Sequence, residues 1–167
     1  MKFPICNACL KNDNLCSDCS SKAKANEISV EEIAIYKLFN KYSKIEPILK
    51  NVEIKRILLK KDFALIVTND EDISKLIGKN GIIIKKLSKK LDKQLRVVTD
   101  KFTVDEFARE ILFSSSILGV NVVYSQEGEE YKIRMTKKDK NSLQIEPETF
   151  SSMAKTVLGK KVEIVFE

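Results

Sequence analysis

The stretch Leu76-Ile77-Gly78-Lys79-Asn80-Gly81-Ile82-Ile83-Ile84-Lys85-Lys86-Leu87 decides how the chain is read. Two glycines three apart enclose two polar residues. An apolar pair precedes them, and apolar residues at helical spacing follow. Glycine at both ends lets the backbone turn sharply and lets a ligand approach without a Cβ in the way. The spacing predicts a helix that starts near Gly81. Its unpaired first N–H groups would face the loop, where a phosphate could sit.

The flanking sequence supplies a framework for this loop. Asp70 to Leu76 reads as a short helix, Ile82 to Leu91 as a longer one, and Leu95 to Thr99 as a strand. Upstream, Phe63-Ala64-Leu65-Ile66-Val67-Thr68 is a short apolar run typical of a buried strand. Val52, Ile54, Ile57 and Leu59 nearly alternate, with a slip near Arg56, so Val52 to Lys60 is a second strand and Lys61-Asp62 the turn. Ser29-Val30-Glu31-Glu32 is a capping box, with Ser29 as N-cap and Glu32 reaching back. It opens a helix carrying Ile33, Tyr36, Leu38, Phe39, Tyr42 and Ile45 at helical spacing and bounded by Pro47.

The order is helix, strand, strand, helix, Gly-x-x-Gly, helix, strand. With the complete apolar-Ile-Gly-x-x-Gly-x-x-Ile-x-x-Leu signature of Leu76 to Leu87, this region resembles a type II KH domain. The resemblance implies a clamp on about four nucleotides of single strand, with the backbone at the loop and bases over an apolar groove. By position, Gly78 and Gly81 would admit the sugar–phosphate backbone and Lys79 would offer charge to a phosphate. Asn80 would take an unusual backbone conformation. Ile77, with strand residues such as Ile66, would form the apolar floor. Ile82 would touch a base, and Lys85 would lie near the bound strand. Ile84 and Leu87 read as core, and the lysines at 85, 86, 89, 90 and 93 as a solvated face.

Charge is distributed to match. The chain has 167 residues and a formal net charge of +6. Between Val52 and Lys101 there are 13 Lys and Arg against 7 Asp and Glu, so this region alone carries the whole excess. A basic patch favours a polyanionic partner. The chain has no histidine and no convincing nucleophile–base spacing, which argues against an enzyme. No apolar run reaches the length of a membrane span, so a soluble, cytoplasmic protein is expected.

All four cysteines, Cys6, Cys9, Cys16 and Cys19, lie near the N-terminus in the pattern C-x2-C-x6-C-x2-C. Two C-x2-C pairs can present four sulfurs to one ion in a tetrahedral, closed structural site, and zinc is the expected metal, ahead of an iron–sulfur cluster. In a cytosolic chain disulfides are not expected. The segment is too short and polar to build a core alone, so metal binding would supply folding free energy.

The chain then repeats itself in altered form. Thr103 to Phe113 can be laid on Ser29 to Phe39, both opening with a capping box. Val120 to Tyr124 and Tyr131 to Met135 read as strands joined through Gln126-Glu127-Gly128. A helix from Pro147 ends at Gly159, and Val162 to Phe166 is a closing strand. The same register lays Ile145-Glu146-Pro147-Glu148 on Gly78-Lys79-Asn80-Gly81, so both glycines are replaced and two carboxylates gained.

The fold expected is therefore α+β, with three parts. Residues 1–26 are a four-cysteine zinc knuckle, residues 27–101 a KH domain with the intact loop, and residues 102–167 a degenerate KH-like module (α-β-β-α-α-β) without it. Tandem type II KH modules are similar to archaeal NusA-like transcription factors. The function implied is binding of single-stranded RNA, with single-stranded DNA also open, in transcription elongation, termination or RNA processing. The alternative is an adapter or assembly factor that docks on RNA polymerase or the ribosome.

Overall fold

The computed structural model describes residues 1–60, 63–112, 117–126 and 128–167. The Lys61-Asp62 turn, Phe113 at the end of the first repeat match, and Glu127 in the second hairpin lie outside the described residues. The fold is α+β, with helices packed on two three-stranded sheets. The chain divides into two compact units, Met1–Val97 and Val98–Glu167.

The first unit contains α1 (Asn7–Lys11), α2 (Ser17–Lys24), α3 (Val30–Ser43), β1 (Ile54–Leu59), β2 (Phe63–Thr68), α4 (Asp70–Ile77), α5 (Ile82–Leu91) and β3 (Gln94–Thr99), with sheet order β1-β2-β3. All six residues of the central strand β2 are buried. β1 pairs antiparallel with β2 and is irregular between Ile54 and Arg56, where the sequence slips. Strict alternation would send Ile54 and Ile57 to opposite faces. The irregularity lets both bury, each at 1% exposure.

The α3 capping box forms as the sequence implies. Ser29 N donates to Glu32 Oε2 at 2.6 Å, and Glu32 N donates to Ser29 Oγ at 3.1 Å. Glu32 Oε1 also accepts from Ile57 N at 3.3 Å, so one buried carboxylate ties the helix start to β1. The helix ends at Ser43, and Pro47–Leu49 is a separate 3₁₀ turn, so Ile45 is exposed rather than part of the apolar stripe.

The cysteine segment is continuous with this core. Ile5, Cys9, Leu10 and Cys19 are buried in one cluster with Ile33, Tyr36 and Phe39, and the Phe3 and Tyr36 rings lie 5.4 Å apart. Lys2 N donates to Val52 O at 2.8 Å and Ile54 N donates to Lys2 O at 2.9 Å, which extends the entry to β1. Lys37 Nζ donates to Asn12 O at 2.6 Å, and Lys22 Nζ to Pro4 O at 3.0 Å. Too short for its own core, the segment shares that of α3 and β1.

The second unit contains α6 (Val104–Leu112), β4 (Ile117–Ser125), β5 (Gly128–Met135), α7 (Pro147–Leu158) and β6 (Lys161–Phe166). Its sheet order is β4-β5-β6, antiparallel then parallel. Thr103 and Glu106 form the second capping box, with Thr103 N donating to Glu106 Oε2 at 2.8 Å and Glu106 N to Thr103 Oγ1 at 3.2 Å. Phe107 and Phe150, both fully buried, join α6 to α7 with rings 5.6 Å apart.

This unit departs from the expected two-helix pattern. A 3₁₀ turn, Lys137–Asn141, stands between β5 and α7 where an α-helix was expected. Its sequence Lys-Lys-Asp-Lys-Asn offers no apolar side chain to bury, whereas α4 carries Ile73, Leu76 and Ile77. Without an apolar stripe a short helix has little tertiary stabilisation.

Candidate functional site

The loop is held from both sides. In α4, Asp70, Glu71 and Asp72 occupy the first turn, where negative charge complements the helix dipole. Asp72 is 2% exposed; its Oδ2 accepts from Glu53 N at 3.0 Å and its Oδ1 from Lys75 Nζ at 2.6 Å. Burial alone would raise this carboxyl, but the Lys75 ammonium and the Glu53 amide outweigh it and hold Asp72 below the ordinary carboxylate range. Leu76, Ile83 and Leu87 then anchor α4 and α5 in the core.

Between those anchors the backbone turns through three left-handed residues in four. Gly78 has φ 73° and ψ 171°, Asn80 φ 55° and ψ 25°, and Gly81 φ 73° and ψ 18°. Gly78 N donates to Ser74 O at 2.9 Å and Gly81 N to Gly78 O at 3.0 Å. A Cβ on Gly78 would lie 2.7 Å from Ile83 Cγ1, so the residue must be glycine for space as well as for φ. At Gly81 the nearest atoms, Ile84 Cγ2 and Lys85 Cε, would be 3.7 Å away, so only φ constrains it.

Lys79, Asn80 and Lys85 are exposed, Ile77 is half-buried, and Ile82 is 49% exposed while Ile83 is buried beneath Gly78. Of Ile82 and Ile83, the two residues directly after the loop, Ile82 is thus the one that faces outward. Lys85 lies one turn on, with its chain folded back beside Gly81. The loop residues and Lys85 come together. Ile66 does not join them, because it is fully buried in the core.

Beside the loop lies an open cleft of ≈ 200 Å³ between α5 and β3, lined by Ile84, Lys85, Ser88, Gln94, Leu95 and Arg96. Ile84, read from sequence as core, packs half-buried against the core and also lines this cleft. Gln94 and Arg96 were missed. Their signal was the alternation of β3, where they interleave with buried Leu95 and Val97 and so take the open face.

The lysines of α5 sort into two sets. Lys86 Nζ lies 3.1 Å from Glu46 Oε1, and Lys90 Nζ sits 5.1 Å from the Tyr42 ring centroid, so both are engaged by the α3 side. Lys85 and Lys89 also stand four apart and line a second, neighbouring cleft instead.

The four cysteines form a second site. Cys6 and Cys16 are the N-caps of α1 and α2, and Cys9 and Cys19 stand three residues into each knuckle. Each knuckle serves the other: Cys16 N donates to Cys9 Sγ at 3.1 Å, and Cys6 N to Cys19 Sγ at 3.5 Å. The four sulfurs lie within 4.8 Å of one another, with Cys6 and Cys16 3.9 Å apart. Metal–sulfur bonds of about 2.3 Å in a tetrahedron place sulfurs about 3.8 Å apart, so the cluster fits one metal ion. As thiols, Cys6 is drawn down to about 7, chiefly by the Cys9 backbone amide. Cys9 is pushed up to about 12: the Cys16 amide lowers it, but burial and the neighbouring sulfurs prevail.

In the second unit the aligned junction is filled. Ile145 is buried, Glu146 caps α7 in an extended conformation, and Pro147 is the first helical residue. None of these has a positive φ. No helix among the described residues is long and apolar enough to cross a membrane.

No family model matches the chain. No curated protein matches it either. Among solved structures, one described as "Crystal structure of APE1850" is similar with a TM-score of 0.54 and 16% identity, over 84% of this chain and 100% of that one. At that identity the likeness is one of fold.

Proposed function

We propose that the chain is a non-enzymatic protein that binds single-stranded RNA at the Gly78–Gly81 loop, as a type II KH module. The observation that carries this is the loop itself: Gly78, Asn80 and Gly81 are left-handed, and Gly78 leaves no room for a Cβ. A loop bare of side chains at both ends admits a backbone closely, with Lys79 and Lys85 at hand for phosphates. The adjoining cleft offers half-buried Ile84 as apolar surface, and Gln94 and Arg96 as groups able to hydrogen-bond base edges. The element order of the first unit and the parallel β5–β6 pair of the second both agree with the type II arrangement. By that resemblance the protein acts in transcription or RNA processing, as archaeal NusA-like factors do. The four cysteines hold structural zinc, since four thiolates leave no open coordination position.

Changing Lys79 and Asn80 together to Asp should abolish binding of single-stranded RNA while leaving the melting temperature nearly unchanged. Binding that survives in the folded double variant refutes the loop as the clamp. Single-stranded DNA in a parallel titration tests whether a 2′-hydroxyl is read.

A second reading, as an adapter docking on RNA polymerase or the ribosome, is favoured by the filled junction at Ile145–Glu148. Strand β4, at the sheet edge, also exposes Leu118, Val122 and Tyr124. A pull-down from native extract that recovers no partner after nuclease treatment counts against it.

A further inference from the structure

We propose that the cleft at the C-terminal end of α5 is a second subsite for the sugar–phosphate backbone, taking the strand as it leaves the loop. This rests on the RNA-binding reading above.

The cleft is open, about twice the size of the first at ≈ 430 Å³, and lined by Lys85, Ser88, Lys89, Asp92, Lys93 and Gln94. Lys85, Ser88 and Gln94 line the first cleft as well, so the two are continuous. Lys85 also reaches back to Gly81, which joins loop, first cleft and second cleft into one path.

The linings differ in kind. The first contains half-buried Ile84, which suits a base; the second has no apolar side chain among its described lining residues. Among its described lining residues, three lysines stand against one carboxylate, that of Asp92, a lining suited to anionic backbone without base preference. The end of α5 is shaped to present them. Asp92 turns the chain in a left-handed conformation (φ 51°), Ser88 Oγ donates to Lys93 O, and Lys93 Nζ donates to Lys60 O at 3.0 Å. Lys93 is thus held at the rim rather than trailing in solvent.

Lys89, near the end of α5, and Lys93, just past it, are too far from the loop to serve it. From Ile82 to Leu91 the helix spans about 15 Å at 1.5 Å per residue. A short oligonucleotide that fills the clamp would not reach them, whereas a longer one would.

The test compares Lys89→Gln/Lys93→Gln with the unaltered protein on oligouridines of four and twelve nucleotides across a salt series. The variant should bind the twelve-mer about ten-fold more weakly and reduce its salt slope by about 1.4, since each single-strand phosphate contact contributes about 0.7. Four-mer affinity should stay unchanged. A control, Lys41→Gln/Lys50→Gln, removes the same charge elsewhere in the first unit and should leave the twelve-mer slope intact. Equal losses for both lengths, no loss for either, or an equal effect of the control overturns the subsite. Failure of the unaltered protein to bind either length overturns the RNA-binding reading, and the subsite with it.

Discussion

Replacing Gly78 by Ala should destabilise the first unit far more than replacing Gly81 by Ala, although both are glycines of one loop. The Gly78 pair of φ 73° and ψ 171° lies where side-chain-bearing residues scarcely occur. Holding alanine there costs about 1–3 kcal/mol. The new Cβ would also lie 2.7 Å from Ile83 Cγ1 and 2.9 Å from Ile83 Cδ1, and Ile83 is 7% exposed with nowhere to retreat. Overpacking of this kind adds about 1–3 kcal/mol, for a total of about 4 kcal/mol. At Gly81 the conformation is ordinary left-handed α and the nearest atoms would be 3.7 Å away. The cost there is about 1–2 kcal/mol. Urea unfolding followed by circular dichroism measures both, and Ile83→Ala supplies the control. In the Gly78→Ala background it removes the clashing atoms, so the double variant should be about 1–2 kcal/mol more stable than the single effects predict. If the two glycine variants lie within about 0.5 kcal/mol of each other, or the double variant shows no coupling, Ile83 does not press on Gly78 and the steric argument for the loop fails.

Three further outcomes are expected. Asp72→Ala strips the acceptor from the Glu53 amide and the partner from Lys75, and should cost about 2–3 kcal/mol in urea unfolding. Because the folded Asp72 carboxyl is held below its unfolded value, its contribution is full above the ordinary carboxylate range and is lost as pH falls through the folded value. The unaltered protein should therefore lose stability on acidification more steeply than Asp72→Ala. Purified protein should carry one zinc per chain by atomic absorption, released when four thiols are titrated, and Cys19→Ser should carry none. Ile82→Ser, which alters an exposed side chain, should leave the melting temperature within about 2 °C yet weaken RNA binding several-fold.

Much of the loop and its framework was legible in the sequence because the signals were local. A capping box, a slipped alternation and two glycines three apart each act within a few residues, and each appears where the chain implied it. What was not legible depends on packing between distant segments. Nothing in Cys6 to Cys19 announces that Cys9 and Cys19 pack with Tyr36, or that each knuckle donates an amide to a sulfur of the other. The lysines of α5 read as one solvated face, and only Glu46 and Tyr42 on the neighbouring segment sort Lys86 and Lys90 from the rest. Ile84 packs against the core as read, but core spacing does not announce that its other side lines a cleft. Ile66 was misread because the central strand of a sheet is covered on both faces.

The difference between the two units shows what a loop of this kind demands. In the first, Ile83 is buried directly under the turn, so the turn must be made without a Cβ, and the backbone is left bare toward solvent. In the second, Ile145 enters the core itself and Pro147 starts α7 with φ already set for a helix, so no left-handed residue is needed. The first arrangement uses conformations that glycine takes readily and leaves a surface open; the second needs none of them at the junction and closes it. A left-handed turn present in one unit and absent at the aligned junction of the other is what a constraint on the first alone would produce. Placing glycines at Ile145 and Glu148 would therefore not recreate the loop of the first unit. The α4 equivalent that would present it is a 3₁₀ turn with no apolar residue to bury, and the loop would have only one anchored end.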